Sequence, residues 1–215
     1  MTSGELAASV AARLRGIGDA LPPGDGAGVF NGVYLRVVQE AGGAYPALLG
    51  AAAERWLGAV GDAAAGRRPP ACWRPLLEAR RHGGVRAPQF ALAGLNAHVG
   101  HDLPLAVIAD CAAREREPEA ARGDFERACA VLERLEERIR DELTPGPELL
   151  DVTDPLTHLL GAWSLDRARE SAWATVAALW PLRELPGVYE EFARRLDQNT
   201  GLVSRCLLTP LLVPR

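Results

Sequence analysis

Between Gln89 and Ala106 the chain reads QFALAGLNAHVGHDLPLA, and inside this apolar run Asn96, His98, His101 and Asp102 fall within seven residues. Two of the protein's four histidines sit there. Burying a polar side chain without partners costs roughly 1–3 kcal/mol, and an unpaired charge costs more, so such a cluster calls for a cause. On a helix, His98 and Asp102 stand at i and i+4 on one face, with His101 beside them. Imidazole and carboxylate bind Zn, Fe or Mn at neutral pH, and imidazole titrates near working pH. Three readings fit: a divalent-metal site on His98 and Asp102, a metal-free acid/base site on His98, His101 and Asp102, or a self-satisfied hydrogen-bond network. A metal needs a further ligand, because one helical turn does not surround an ion. His158, Asp154 and Asp124 are the candidates, with the Asn31 amide a weaker one.

Asn31 and Asn96 each lie one or two positions from apolar neighbours that should face the core. A buried amide must satisfy donor and acceptor alike, so each is either a helix-to-helix bridge or, facing the same cavity as His98, a group that orients a substrate carbonyl or hydroxyl. A second constellation is Trp163, Arg167, Arg169 and Trp173. Trp163 with Arg167, and Arg169 with Trp173, are i,i+4 pairs that can stack guanidinium on indole. The fork of Arg169 suits an anionic ligand or a buried salt bridge to Asp151 or Asp154. Trp56, Trp73 and Trp180 read as core aromatics.

The elements that must carry these residues are helical. Leu6, Val10, Leu14 and Ile17 recur at helical spacing until Gly18, Pro22 and Pro23. Further helices are expected over 29–39, 45–65, 73–81, 125–143, 155–179, 188–197 and 202–208. Pro88 suits the first turn of the helix that carries Phe90 to His101. Pro104 either kinks that helix or opens a new one capped by Asp102, so the backbone beside the histidines should be irregular. REREPEAARGD and TPGPELLDVTDP read as loops. No stretch alternates with period two between hairpin turns. The expectation is an all-α, single-domain bundle of roughly seven to nine helices over residues 1–215.

With 215 residues, 48% hydrophobic and 24% charged, the composition is that of a globular protein. A net charge of -4 argues against a nucleic-acid surface, which needs clustered positive charge. No apolar run approaches the ~18 residues of a membrane span, and Glu5 and Arg13 interrupt the N-terminal apolar pattern, so no signal peptide and a cytoplasmic setting are expected. Cys72, Cys111, Cys129 and Cys206 are scattered, without the short spacings of zinc or redox motifs, and read as reduced thiols. There is no GxSxG, P-loop, GxGxxG or HExxH pattern. All 24 basic side chains are arginine, which fits GC-rich coding.

FALAGLNAHVGHDLPLAV, with FNGVYL from Phe30 to Leu35 and WSLDRARESAWATVAALW from Trp163 to Trp180, resembles an actinobacterial family of domain-of-unknown-function proteins. The resemblance covers most of the chain, and its recurrent positions match Asn31, Tyr34, Asn96, His98, Asp102, Trp163, Arg169 and Trp173. It implies an all-helical fold and an intracellular bacterial setting, and carries no mechanism across. The expectation is a cyclase, lyase or hydrolase acting on a small, largely apolar metabolite. His98, His101 and Asp102 would be catalytic, and Asn31, Tyr34, Asn96, Trp163, Arg169 and Trp173 would bind substrate. A non-catalytic ligand-binding or partner-docking helical module is the alternative.

Overall fold

In the computed structural model, residues 2–143 and 155–211 are described. They form ten α-helical segments and no strand. α1 (Ser3–Ala20) opens on a reciprocal cap: Glu5 N–H donates to Thr2 Oγ1, while Thr2 N–H donates to the Glu5 carboxylate. α2 (Gly26–Ala41) is capped by Asp25, which accepts from Ala27 N–H and lies 3.3 Å from the Arg80 guanidinium. α3 (Ala47–Ala64), α4 (Arg74–Ala79), α5 (Ala87–Ala97) and α6 (Leu103–Ala113) follow, then α7 (Arg122–Arg138), α8 (Pro155–Ala162), α9 (Leu165–Leu179) and α10 (Pro186–Leu207).

The centre of the bundle is the nearly continuous rod of α5 and α6, which is apolar all round and buried accordingly. α2 and α10 pack on α5, and α3 and α9 pack on α6. A glycine makes the first of these contacts possible. A Cβ on Gly94 would stand 2.3 Å from the Phe30 ring, so only the bare backbone lets α2 approach this closely. Phe30, Tyr34, Trp56 and Trp73 then stack and edge against one another at centroid separations of 4.6–5.6 Å, forming an aromatic layer beside the middle of the rod.

That middle is where the rod changes pitch. Pro104 has no N–H to give the Gly100 carbonyl, and its ring crowds that carbonyl. The chain neither breaks nor starts a capped helix; it widens into one π-helical turn over His98–Asp102, in which Leu103 N–H reaches back to the His98 carbonyl. Asp102 caps nothing, so its carboxylate is free for other partners.

Three boundaries differ from the sequence expectation. The charged stretch after Arg114 is a loop only in part, because α7 already begins at Arg122. The helix expected over 155–179 is interrupted at Trp163 and Ser164, where Ser164 takes an extended conformation and starts α9. Conversely, the helices expected at 188–197 and 202–208 are one, α10. Gly201 does not end it but serves contact: a Cβ there would lie 2.3 Å from the Ala71 carbonyl oxygen. The loop TPGPELLDVTDP falls outside the described residues up to Asp154. Along α10 and the turn before it, Leu185, Val188, Phe192, Leu202 and Val203 are exposed.

Candidate functional site

The π turn turns a set of polar side chains toward the turn preceding α4. Asp102 is fully buried. One of its oxygens accepts from Trp73 Nε1 at 3.0 Å, and the other lies 2.8 Å from His101 Nδ1. Burial alone would raise the Asp102 carboxyl, but the hydrogen bond from His101, followed by contact with His98, holds it below the usual carboxylate range. His101 Nδ1 is also 3.4 Å from Cys72 Sγ. Its other nitrogen, Nε2, lies 3.9 Å from Asp197 on α10. Asp197 is itself anchored, its two oxygens accepting from the backbone N–H groups of Ala71 and Cys72 at 2.8 Å each. The close approach at Gly201, one turn further along α10, brings that helix near enough for these bonds.

His98 behaves differently. It is fully buried, its Nδ1 is 3.7 Å from the Asp102 oxygen that accepts from Trp73, and neither ring nitrogen has a hydrogen-bond partner. Its ring meets Tyr34 edge to face at 4.8 Å. Tyr34 pairs with Tyr45 through their hydroxyls at 2.7 Å, and burial pushes both phenols upward, so they stay neutral. Cys72 is likewise a neutral thiol, its pKa raised first by burial and then by the carboxylates of Asp102 and Asp197. A cysteine–histidine nucleophilic pair is not formed here, because Cys72 and Asp102 approach the same imidazole nitrogen instead of opposite ones.

Of the residues expected to be catalytic, the structure brings His98, His101 and Asp102 together. The residues expected to bind substrate are scattered. The Asn31 amide donates to the Leu14 carbonyl at 2.7 Å and accepts from Trp56 Nε1 at 3.2 Å, making it a bridge between α1, α2 and α3. Asn96 donates to the Thr200 carbonyl and Ser204 Oγ on α10 and accepts from Trp163 Nε1. Arg169 is half-exposed and paired with Glu133 and Asp166 on the surface, not buried; Asp151 and Asp154 lie outside the described residues. It is Arg122, not Arg169, whose guanidinium lies over Trp173, at 4.4 Å.

The proposed supply of metal ligands also changes. His158 is exposed on α8, and Asp124 is tied to Arg116 and Arg127, so neither joins the cluster. Among the described residues the group with metal-ligand spacing is Cys72, His101 and Asp102, all buried, with one donor atom each inside 4.8 Å. Cys72, Trp73 and Asp197 are the members that spacing did not reveal. The one signal was CWRP at residues 72–75, a cysteine beside a tryptophan at a proline turn. The expected apolar cavity around His98 is not where the grooves lie: one of about 730 Å³ runs between α1 and α3, lined by Ile17, Leu21, Leu57 and Val60 with Arg13 and Arg80, and away from the cluster.

The described residues contain no helix long and apolar enough to cross a membrane. A family model, described as a family of unknown function (DUF5995), matches residues 7–210. The chain belongs to the DUF5995 family. The match spans every element that builds the cluster, from Cys72 through the π turn to Asp197 on α10. No curated protein and no solved structure matches the chain.

Proposed function

We propose that this DUF5995 protein is an enzyme that transforms a small molecule, of the lyase, cyclase or hydrolase kind, at the His101–Asp102 pair. The carrying observation is the position of His101. Asp102 holds its imidazole at Nδ1, and its Nε2 lies on the least buried side of the cluster, where the side chains of His101 and Asp197 are 8% and 22% exposed. An imidazole oriented by a buried carboxylate, with its second nitrogen toward the partly exposed Asp197, is the arrangement a general acid/base uses. Trp73 and the backbone-anchored Asp197 supply the rigid surround that such a group needs. Support for a polar working centre also comes from the orphan His98, since a buried imidazole without partners costs stability and is retained where function requires it.

The test is turnover in a small-molecule extract, read by mass spectrometry before and after incubation with the protein. Wild type should deplete a metabolite that His101→Ala, with an unchanged circular dichroism spectrum, leaves intact. An extract unaltered by wild type overturns the reading. In that case the non-catalytic alternative gains, and one observation already favours it: His98 and Asp102 are sealed from solvent.

A further inference from the structure

We infer that the cluster is a binding site for a zinc-class divalent ion, held by Cys72 Sγ, His101 Nδ1 and an Asp102 oxygen, with a fourth position open. This rests on the centre proposed above and names what would occupy it. Three electron-pair donors converge on one region: Sγ to Nδ1 is 3.4 Å and Nδ1 to Oδ1 is 2.8 Å. Zinc bound at ~2.3 Å to sulfur and ~2.0 Å to nitrogen and oxygen places tetrahedral ligands about 3.3–3.6 Å apart. The thiol and imidazole already have that separation, and the carboxylate needs to open by about 0.5 Å.

Charge decides the class of ion. On binding, the Cys72 thiol proton leaves to solvent and the sulfur binds as thiolate; the Asp102 carboxylate is the second anion, and the His101 proton that Asp102 accepts in the free protein moves from Nδ1 to Nε2, so that Nδ1 offers its lone pair to the ion. Thiolate and carboxylate together cancel a dication, so a neutral assembly forms in a core that would not accept an unpaired charge. A thiolate beside imidazole selects zinc-like ions over magnesium, calcium or manganese. Three protein ligands with one position open is the arrangement of catalytic zinc, as opposed to the closed four-ligand structural kind.

The surround matches as well. His101 Nε2 faces the Asp197 carboxylate at 3.9 Å, and Asp102 receives Trp73 Nε1 on its other oxygen. Partners of this type fix the ring and the carboxylate of metal ligands. The carboxylate facing His101 is immobilised through the backbone of Cys72, so the loop that supplies the sulfur and the helix that orients the imidazole are locked to each other. His98, at 3.7 Å from the Asp102 oxygen that accepts from Trp73, lies outside the three-ligand group.

The test uses the untagged full-length chain, purified without chelator. Elemental analysis should find about one zinc per chain. After exchange to cobalt(II), the protein should show a near-ultraviolet thiolate-to-cobalt band with tetrahedral visible absorption. Cys72→Ser should abolish that band and lower zinc affinity by about tenfold or more, whereas Cys129→Ser, at another buried thiol, should leave the band unchanged. If Cys72→Ser fails to fold, the wild-type cobalt spectrum decides alone. Background metal content, or bound cobalt with no thiolate band, overturns the inference. Its failure is separable from that of the enzyme reading: turnover lost in His101→Ala by a metal-free protein leaves a plain acid/base centre, and a bound ion without turnover leaves the site and removes the enzyme.

Discussion

Asn31 and the π-turn cluster are both polar groups sunk into the same apolar bundle, and they are treated in opposite ways. The Asn31 amide has its donor spent on Leu14 and its acceptor on Trp56, so nothing on it is left to use. The cluster keeps capacity in reserve: both nitrogens of His98 lack partners, His101 Nε2 is 3.9 Å from the nearest carboxylate oxygen, and the Cys72 thiol shares a nitrogen with Asp102. Folding alone would favour closing such circuits, because an unsatisfied buried group costs about 1–3 kcal/mol. Asn31 is thus a buried polar group with its hydrogen bonds spent, and the cluster is one with capacity left over.

The largest effect that bears on this contrast is expected at Asp102, the only cluster member on which two ring donors converge. Asp102→Ala strands Trp73 Nε1 and His101 Nδ1 in the core and should cost about 3–5 kcal/mol, seen as a large fall in melting temperature or loss of soluble protein. Asp102→Asn keeps the shape and an acceptor, and should recover most of that stability. If the two substitutions destabilise equally, the carboxylate's hydrogen bonds do not hold the turn.

Gly201→Ala comes next. Its Cβ would meet the Ala71 carbonyl at 2.3 Å, so α10 must back away and take Asp197 with it. The expected cost is about 1–3 kcal/mol, with zinc affinity falling alongside stability. A variant that matches wild type in both measurements would mean that the contact between α10 and the cysteine loop does not position the site.

These two residues show where the chain could be read and where it could not. The helices of the outer bundle follow from apolar residues at spacing 3.6, and Pro104 beside His98 already marks an irregular backbone. The kind of irregularity is not local information: a kink, a new capped helix and a π turn all answer a missing N–H, and packing of the rod among α3, α9 and α10 selects the last. Cys72 is 29 residues from His101 in the chain and lacks a second cysteine nearby, so only the fold makes it a partner. Asp197 falls at the end of the helix expected over 188–197, with nothing local to single it out, and the closeness of Gly201 to another backbone is invisible until that backbone is placed. Arg169 and Trp173 share a helix at the right spacing for stacking, yet the neighbouring α7 offers Arg122 for the same ring.

Outside the cluster the effects should shrink. Arg169→Met removes a half-exposed pair with Glu133 and Asp166, and should shift stability by at most about 1 kcal/mol, without touching zinc content or turnover. A loss of turnover in a folded Arg169→Met protein would return this residue to the site.

The smallest effect is a pH dependence at Asp124. The hydrogen bond from Arg116 holds its carboxyl below the ordinary range despite partial desolvation, so the folded state binds its proton less readily than the unfolded one. Its contribution is therefore fully present above the ordinary carboxylate range near pH ~4 and is lost as pH falls further. Asp124→Asn should therefore lose this small contribution at neutral pH and match wild type below the carboxylate range, which flattens the acid limb of the stability profile. A variant that loses as much stability in acid as at neutral pH would show that the pair's contribution does not depend on the Asp124 charge.

The contrast between a spent amide and an uncommitted imidazole is tested most directly by unfolding Asn31→Leu and His98→Leu side by side. Asn31→Leu removes the partner of Trp56 Nε1 and of the Leu14 carbonyl, and should lose about 1–3 kcal/mol. His98→Leu replaces two unsatisfied buried nitrogens with apolar atoms, and should leave stability unchanged within ~0.5 kcal/mol or raise it. Equal losses in the two variants would make His98 a structural hub like Asn31 and contradict the account.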